Sequence, residues 1–268
     1  MRETVFLTGA SSGIGKAIAE ALLADGATVY GIGRDFEKTD PKVTSHPSFH
    51  AIALDLRDGG ALEEALSRLT EEGVFFDVLV NCAGSAYYGV HEQLSPRMVE
   101  EMVQTDLAVP MILSGHFLRA FKKEKRGTIL NIASVTAITS ENPHGAAYGA
   151  CKAGLLSFSR SIFAEARKYG VKVTCLLPDM TRTNLYRNAD FEASNDAGCS
   201  LVPEDVAEAV LSVLHAPEGV CVPELVLTPQ YHRIAKKREQ ETGTSKVTVL
   251  QEGNGSFGKT GFPKSISD

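Results

Sequence analysis

Tyr148 and Lys152 stand four residues apart in Ala146-Ala147-Tyr148-Gly149-Ala150-Cys151-Lys152, and on a helix that spacing puts a phenol and an ammonium on one face. A cation about 4 Å from a phenol, at an effective dielectric near 20, is worth about 4 kcal/mol, or about three pKa units. That shift brings a phenol from about 10 towards neutrality, where it exchanges protons at physiological pH. Ser134 closes the run GTILNIAS, and a hydroxyl just past the carboxyl end of a strand lies where open parallel sheets bind ligands and can polarise a carbonyl. Each feature alone has a plainer explanation. Tyr-x-x-x-Lys arises by chance on amphipathic helices, and a serine after a strand is usually a cap.

A second group of residues points to a phosphate. Thr8-Gly9-Ala10-Ser11-Ser12-Gly13-Ile14-Gly15 follows an apolar run and precedes the helical pattern KAIAEALLAD. Glycines at a sharp strand-to-helix turn let the backbone close on a pyrophosphate, while first-turn N–H groups and the helix dipole favour its charge. Gly9, Ser11, Ser12, Gly13, Ile14 and Gly15 are therefore candidate cofactor-binding residues. About twenty residues further on, where an NAD site calls for an acidic side chain, the chain has Gly33-Arg34. A guanidinium there suits a 2′-phosphate, so NADP(H) is preferred, and Asp35 next door keeps NAD(H) open.

These side chains need elements to hold them. Short β-branched runs near 4–9, 27–33, 48–55, 75–82, 127–133 and 171–177 alternate with amphipathic stretches at about 13–24, 59–72, 95–123, 146–169 and 203–215. A further strand at 221–228 contains Pro223, which places it at a sheet edge. The rhythm predicts an α/β fold, a doubly wound, mostly parallel, Rossmann-like sheet of about seven strands with helices on both faces. Residues 1–228 form one dinucleotide-binding and catalytic domain in this reading. Residues 229–268 carry nine apolar side chains and read as a flexible or subunit-crossing tail, with a basic stretch at Tyr231–Glu241.

Composition narrows the partners. Lys and Arg total 27 against 33 Asp and Glu, and a net charge of −6 repels nucleic acid and anionic lipid, so neither is expected to bind. Cys82, Cys151, Cys175, Cys199 and Cys221 are odd in number, lack a Cys-x-x-Cys pair and mostly sit in apolar runs, which suits reduced thiols in the cytoplasm and no metal. The chain opens Met1-Arg2-Glu3 without a long apolar segment, and no run approaches 18 apolar residues, so neither secretion nor membrane spanning is expected.

Taken in order, TGASSGIG, Asp55-Leu56, Asn81-Cys82-Ala83-Gly84, Ser134, Tyr148 with Lys152, and Pro178 to Thr183 resemble the single-domain branch of the short-chain dehydrogenase/reductase family, over roughly residues 3–228. The resemblance implies that Ser134 holds a substrate oxygen, Tyr148 exchanges its proton, and Lys152 lowers the Tyr148 pKa while binding the nicotinamide ribose. Hydride then moves between nicotinamide C4 and a carbonyl carbon. It implies adenine contacts at Asp55 and Leu56, ribose contacts at Asn81, Ala83 and Gly84, and a carboxamide contact at Thr183. It also implies a homodimer or homotetramer, often built on the helices at 95–123 and 146–169 and sometimes on the last strand.

Three positions depart from the family. Cys82 replaces a second Asn, Asp179 replaces a Gly, and Asp106 stands where an Asn holds a water that relays protons to the Lys. An ionised Asp106 accepts but cannot donate, and its charge pairs with Lys152 and weakens the pull on Tyr148. Only the position is carried over as a catalytic candidate, and the adjacent Gln104 and Thr105 leave its register open by one residue. Residues 184–200 suit a mobile lid or an ordinary surface loop, and Tyr87, Tyr88, His144 and Tyr186 are candidate pocket walls or core fillers.

The reading is an NADP-preferring oxidoreductase that interconverts a small or medium ketone or aldehyde and its alcohol. One rival is a catalytically silent NADP-sensing regulator on the same fold, which Asp106 and Asp179 would suit. Another is a sugar-nucleotide epimerase or dehydratase, disfavoured by the glycine spacing and the lack of a second domain.

Overall fold

The computed structural model describes residues 3–139 and 141–237. Its strands are β1 (Thr4–Thr8), β2 (Thr28–Gly33), β3 (Phe49–Ala53), β4 (Val78–Asn81), β5 (Gly127–Ile132), β6 (Val171–Pro178), β7 (Phe191–Ala193), β8 (Glu224–Leu227) and β9 (Ile234–Lys236). Its α-helices are α1 (Gly13–Ala24), α2 (Pro41–Thr44), α3 (Gly59–Glu71), α4 (Pro96–Val103), α5 (Val109–Glu124), α6 (Ala146–Ala166) and α7 (Pro203–Leu214). Seven strands form one sheet in the order β3-β2-β1-β4-β5-β6-β8, and every neighbouring pair is parallel. The order reverses between β1 and β4, and the crevice beyond their carboxyl ends is where this architecture binds ligands.

Alternation along β1 shows how the layers form. Val5 and Leu7 face one way, with Val29, Val78 and Val80, under Ile18 and Leu22 of α1 and Val206 and Val210 of α7. Phe6 faces the other way, with Ile32 and Ile129, against Leu62 and Leu66 of α3, Phe117 of α5 and Ile162 of α6. Phe6 lies 5.1 Å from the Phe117 ring and 5.5 Å from Phe76. Each such side chain contributes about 1.5–3 kcal/mol by leaving water.

The helix starts follow their local chemistry. Asp58 caps α3 by accepting from the Ala61 N–H at 3.0 Å, and Ser95 with Pro96 opens α4. α7 begins at Pro203, with the Asp205 carboxylate accepting from the Val202 N–H at 2.8 Å. The strand expected at 221–228 contracts to β8, at the sheet edge and just past Pro223.

Two expectations need correction. The helix expected over 95–123 is broken: α4 ends at Val103, a π turn spans Gln104–Ala108, and α5 continues from Val109. The apolar pattern runs through the break, and Pro110 is accommodated in the first turn of α5, so the periodicity hides it. The segment from 229 also folds further than a tail: β9 pairs antiparallel with β7, a two-stranded ribbon that the polar sequence did not announce. Residues 238–268, the rest of that segment, lie outside the described residues. Among the described residues, no helix is long and apolar enough to cross a membrane.

Candidate active site

β1 ends at Thr8, and the backbone reverses at Gly9 with φ +75°. A Cβ on Gly9 would meet Ala83 Cα at 2.9 Å, and one on Gly15 would run into the Gly9 carbonyl. Both positions therefore require glycine, and the turn lies close under the N-terminus of α1. Ser12, at the N-cap, makes no capping bond, which leaves the first-turn N–H groups free of a side-chain partner. Thr8, which the sequence did not single out, accepts from the N–H groups of Cys82 and Ala83, each at 3.0 Å, and ties the ends of β1 and β4 together.

One groove runs over these ends. Its floor is the loop Gly9, Ser11, Ser12, Gly13, Ile14 and Gly15, with Ala83 and Gly84 from the β4 end. Arg34, Asp55 and Leu56 line one end, and Tyr148, Lys152 and Thr183 line the other. Asn81 does not reach it: its side chain is buried and donates to Asn131 Oδ1 at 2.8 Å, so the expected direct contact gives way to a support behind the wall. Ser134 is buried, caps the turn Val135–Ala137 by accepting from the Thr136 N–H at 3.2 Å, and keeps its O–H free to donate elsewhere. Burial pushes the Cys82 thiol up to about 12, so it packs as a small apolar group.

α6 brings Tyr148 and Lys152 together, each 4% exposed, with the ammonium 5.6 Å from the Tyr148 ring centre. Lys152 Nζ donates to the Ile132 carbonyl at 3.0 Å and forms an ion pair with Asp106 Oδ1 at 3.0 Å. Asp106 is fully buried and sits in the π turn, whose extra residue swings it into the core. The register left open by the sequence thus resolves to Asp106, while Thr105 faces the groove.

Asp106 Oδ2 accepts from the Ser85 N–H at 3.0 Å. Burial raises the Asp106 carboxyl above its ordinary value, against the opposing pull of Lys152 and that N–H. Tyr148 is raised well above 10, by burial first and then by the Asp106 anion, with the Ser134 hydroxyl pulling the other way. The expectation that Lys152 brings Tyr148 towards neutrality is therefore not met in this structure. Arithmetic that counts the cation misses the carboxylate that cancels it and the desolvation of the phenol.

At the β2 end, Arg34 is exposed, and Asp35 turns away to accept from the Glu37 N–H at 2.7 Å. Asp55 is gripped by Arg57, whose Nε and terminal nitrogen lie 3.0 and 2.6 Å from its oxygens, and its carboxyl falls to about 2. Arg57 was missed because only Asp55 lies near it in sequence, while its second partner, Glu101, comes from α4. Over the other end, Thr183 caps the turn Asn184–Asn188 by accepting from the Leu185 N–H at 3.2 Å.

That turn begins the stretch 184–200. Tyr88 lies 5.8 Å from Tyr148, 5.9 Å from Tyr186 and 5.0 Å from Phe191, ring centre to ring centre. Tyr87 packs on the same cluster, whereas His144 contributes its carbonyl, accepting from the Gly89 N–H at 2.7 Å. Phe191 was missed because it lies in a short polar stretch with no strand signal and is carried in by β7. Lys237 Nζ donates to the carbonyls of Tyr186, Arg187 and Ala189, at 2.5, 3.1 and 2.8 Å. Asp179 Oδ2 pairs with His232 Nδ1 at 3.0 Å, so the residue in the family's glycine position anchors the segment that leads to β9.

A model of the short chain dehydrogenase family matches residues 3–193. The chain belongs to the short-chain dehydrogenase/reductase family. The serine 3-dehydrogenase of Agrobacterium fabrum is 31% identical over 239 residues, covering 85% of this chain and 94% of that protein. The 3-oxoacyl-(acyl-carrier-protein) reductase of Vibrio cholerae is 32% identical over 231 residues, covering 82% and 92%. The alcohol dehydrogenase of Thermococcus sibiricus, solved with 5-hydroxy-NADP, has a TM-score of 0.77 at 27% identity and covers 87% of this chain and 99% of that one. These relatives are dehydrogenases and reductases, and the chain is an oxidoreductase of the short-chain dehydrogenase/reductase family.

Proposed function

We propose that this short-chain dehydrogenase/reductase interconverts a carbonyl compound and its alcohol, with Tyr148 as the group that exchanges the proton and with NADP(H) preferred over NAD(H). The observation that carries the reading is the single groove in which a glycine cradle and the pair Tyr148 and Lys152 face one another. The cradle fits a dinucleotide pyrophosphate: the glycines leave room for it and the start of α1 offers N–H groups and a positive dipole end. When bound, the nicotinamide supplies or accepts the hydride at C4.

The chain's own residues do the rest. Ser134 donates its O–H to the substrate oxygen and so orients it, and Tyr148 gives that oxygen a proton in reduction or takes one in oxidation. Lys152, fixed by the Ile132 carbonyl and Asp106, holds the ribose beside Tyr148. Asp55 and Leu56 take the adenine side, Ala83 and Gly84 the inner ribose wall, and Thr183 the carboxamide. Tyr88, Tyr186 and Phe191 exclude water from the reacting atoms and favour a substrate with apolar surface. Arg34 is exposed at the groove end where a 2′-phosphate would lie, which supports the NADP(H) preference.

A homodimer or homotetramer joined through the α4–α5 face is part of this reading, and the exposed side chains of Val103, Met111 and Ile112 support it. The five free thiols suit a reducing cytoplasm. A fluorescence titration with NADPH and NADH, followed by a panel of ketones, aldehydes and alcohols read at the nicotinamide absorbance, tests the function. NADPH should bind more tightly, and Arg34→Ala should weaken NADPH by about 10- to 100-fold while leaving NADH nearly unchanged. Equal losses for both would reject the 2′-phosphate assignment, and tight binding with no turnover across the panel would indicate a silent sensor.

A further inference from the structure

A line of polar groups runs along the groove wall from Asp55 to Lys152, and the hydride-transfer account uses its two ends and not its middle. Arg57 bridges two carboxylates: one guanidinium nitrogen is 2.6 Å from Asp55 Oδ2 and the other 2.8 Å from Glu101 Oε2. Glu101 Oε1 accepts from the Ser85 hydroxyl at 3.0 Å. The Ser85 N–H donates to Asp106 Oδ2, and Asp106 Oδ1 meets Lys152 Nζ, again at 3.0 Å each. Ser85 is 4% exposed and the Glu101 side chain 13%, so the carboxylate is turned inward from α4 and is not a solvated surface charge.

The arrangement has a physical consequence. Ser85 is gripped from both sides, its hydroxyl by Glu101 and its N–H by Asp106, which fixes the backbone next to Gly84. A Cβ on Gly84 would meet Asp106 Oδ1 at 3.0 Å, so the loop and the carboxylate are closely seated. Two carboxylates on either side of one serine repel each other, and the Arg57 and Lys152 cations at the outer ends make the pair tolerable. We propose that Glu101 is a positioning residue for the proton-exchanging pair, holding Asp106 against Lys152 through Ser85 and, together with Arg57, setting the charge balance in which Lys152 and Tyr148 work. This inference rests on the assignment of Tyr148 and Lys152 as the acid/base pair.

The groups that face Asp106 are Lys152, Tyr148 and Cys151 from α6, Tyr88 and the Ser85 N–H from the loop after β4, and Glu101 from α4. Those that face Glu101 are Arg57, with Asp55 and Arg34 behind it, and Asp106. The sign of each change follows from these neighbours. Glu101→Gln keeps an acceptor for Ser85 and removes a negative charge, so every nearby proton is lost more readily. Arg57→Met removes a positive charge and acts in the opposite sense.

The test reads titration directly, in the full-length protein saturated with NADPH and labelled with carbon-13 at lysine Cε. The Lys152 signal is assigned by its loss in Lys152→Met. At a fixed alkaline pH, Glu101→Gln should raise the deprotonated fraction of Lys152 by about threefold, and Arg57→Met should lower it by a similar factor, as expected for charges that are not in contact, at an effective dielectric near 20 with partial screening. Thermal melts confirm that both variants are folded, and Glu101→Ala serves as the second variant if Glu101→Gln fails that check. An unmoved signal, or shifts of the same sign in both variants, overturns the positioning role. Failure of the underlying acid/base reading shows separately, as turnover retained in Tyr148→Phe.

Discussion

The glycine end of the groove, where we propose the dinucleotide, is made of backbone: Gly9 and Gly15 pack so closely that no side chain fits, and Thr8 stitches the end of β1 to that of β4. Beside the other end lies a cluster of side chains brought from far apart, with Tyr88 from the β4 loop, Tyr186 from the turn Asn184–Asn188 and Phe191 from β7, and Lys237 straps that turn through the Tyr186, Arg187 and Ala189 carbonyls. A backbone site is fixed by its own few residues and answers to single substitutions with large effects. A wall of packed side chains shares its load in binding, and single losses from that wall, as distinct from the reacting group itself, are small. The difference also explains how one fold keeps its cofactor chemistry while its substrate pocket varies.

The largest effect that would break this contrast belongs to the cradle. Gly15→Val drives a side chain into the Gly9 carbonyl and must displace the turn, so the dissociation constant for NADPH should rise on the order of 100-fold, about 2.8 kcal/mol, in a fluorescence titration. Retained affinity would show that the backbone end is as yielding as the lid. A moderate effect is expected from the strap. Lys237→Met removes three hydrogen bonds to the lid carbonyls, and steady-state kinetics on the best substrate of the panel should show KM for that substrate raised about three- to tenfold with NADPH affinity unchanged. A matching loss of NADPH affinity would mean that the two ends are not independent.

The smallest effect concerns the outer cofactor wall. Arg57 holds the Asp55 carboxyl down near 2, so its stabilising contribution is present above the usual carboxylate range and is lost as pH falls through that value. The pair is partly exposed, and the difference in melting temperature between the protein and Asp55→Asn should be a degree or two near neutral pH and close to zero in strong acid. A difference that grew on acidification would reverse the assigned sign.

The same contrast governs what was legible in the sequence. The glycine cradle, the strand rhythm and the spacing of Tyr148 and Lys152 are local patterns, and the structure brings those residues to one groove beside the switch in strand order. Asn81 was placed at the right strand end but on the wrong side of the wall, because its partner Asn131 belongs to another strand. The π turn left no mark in an unbroken apolar pattern, and the antiparallel pairing of β7 with β9 joins two short polar segments without β-strand alternation. Tyr148 shows the limit most sharply. Its neighbour Lys152 is visible four residues away, whereas Asp106 and the burial that offset that cation come from tertiary packing.

The central claim is that the buried Tyr148 hydroxyl passes the proton in this groove, and the turnover of Tyr148→Phe at saturating NADPH, with the carbonyl substrate that the panel selects, tests it most directly. The account predicts NADPH affinity within about twofold of the parent and a turnover number lower by about 100- to 10,000-fold. Turnover kept at the parent level by the phenylalanine variant would contradict it.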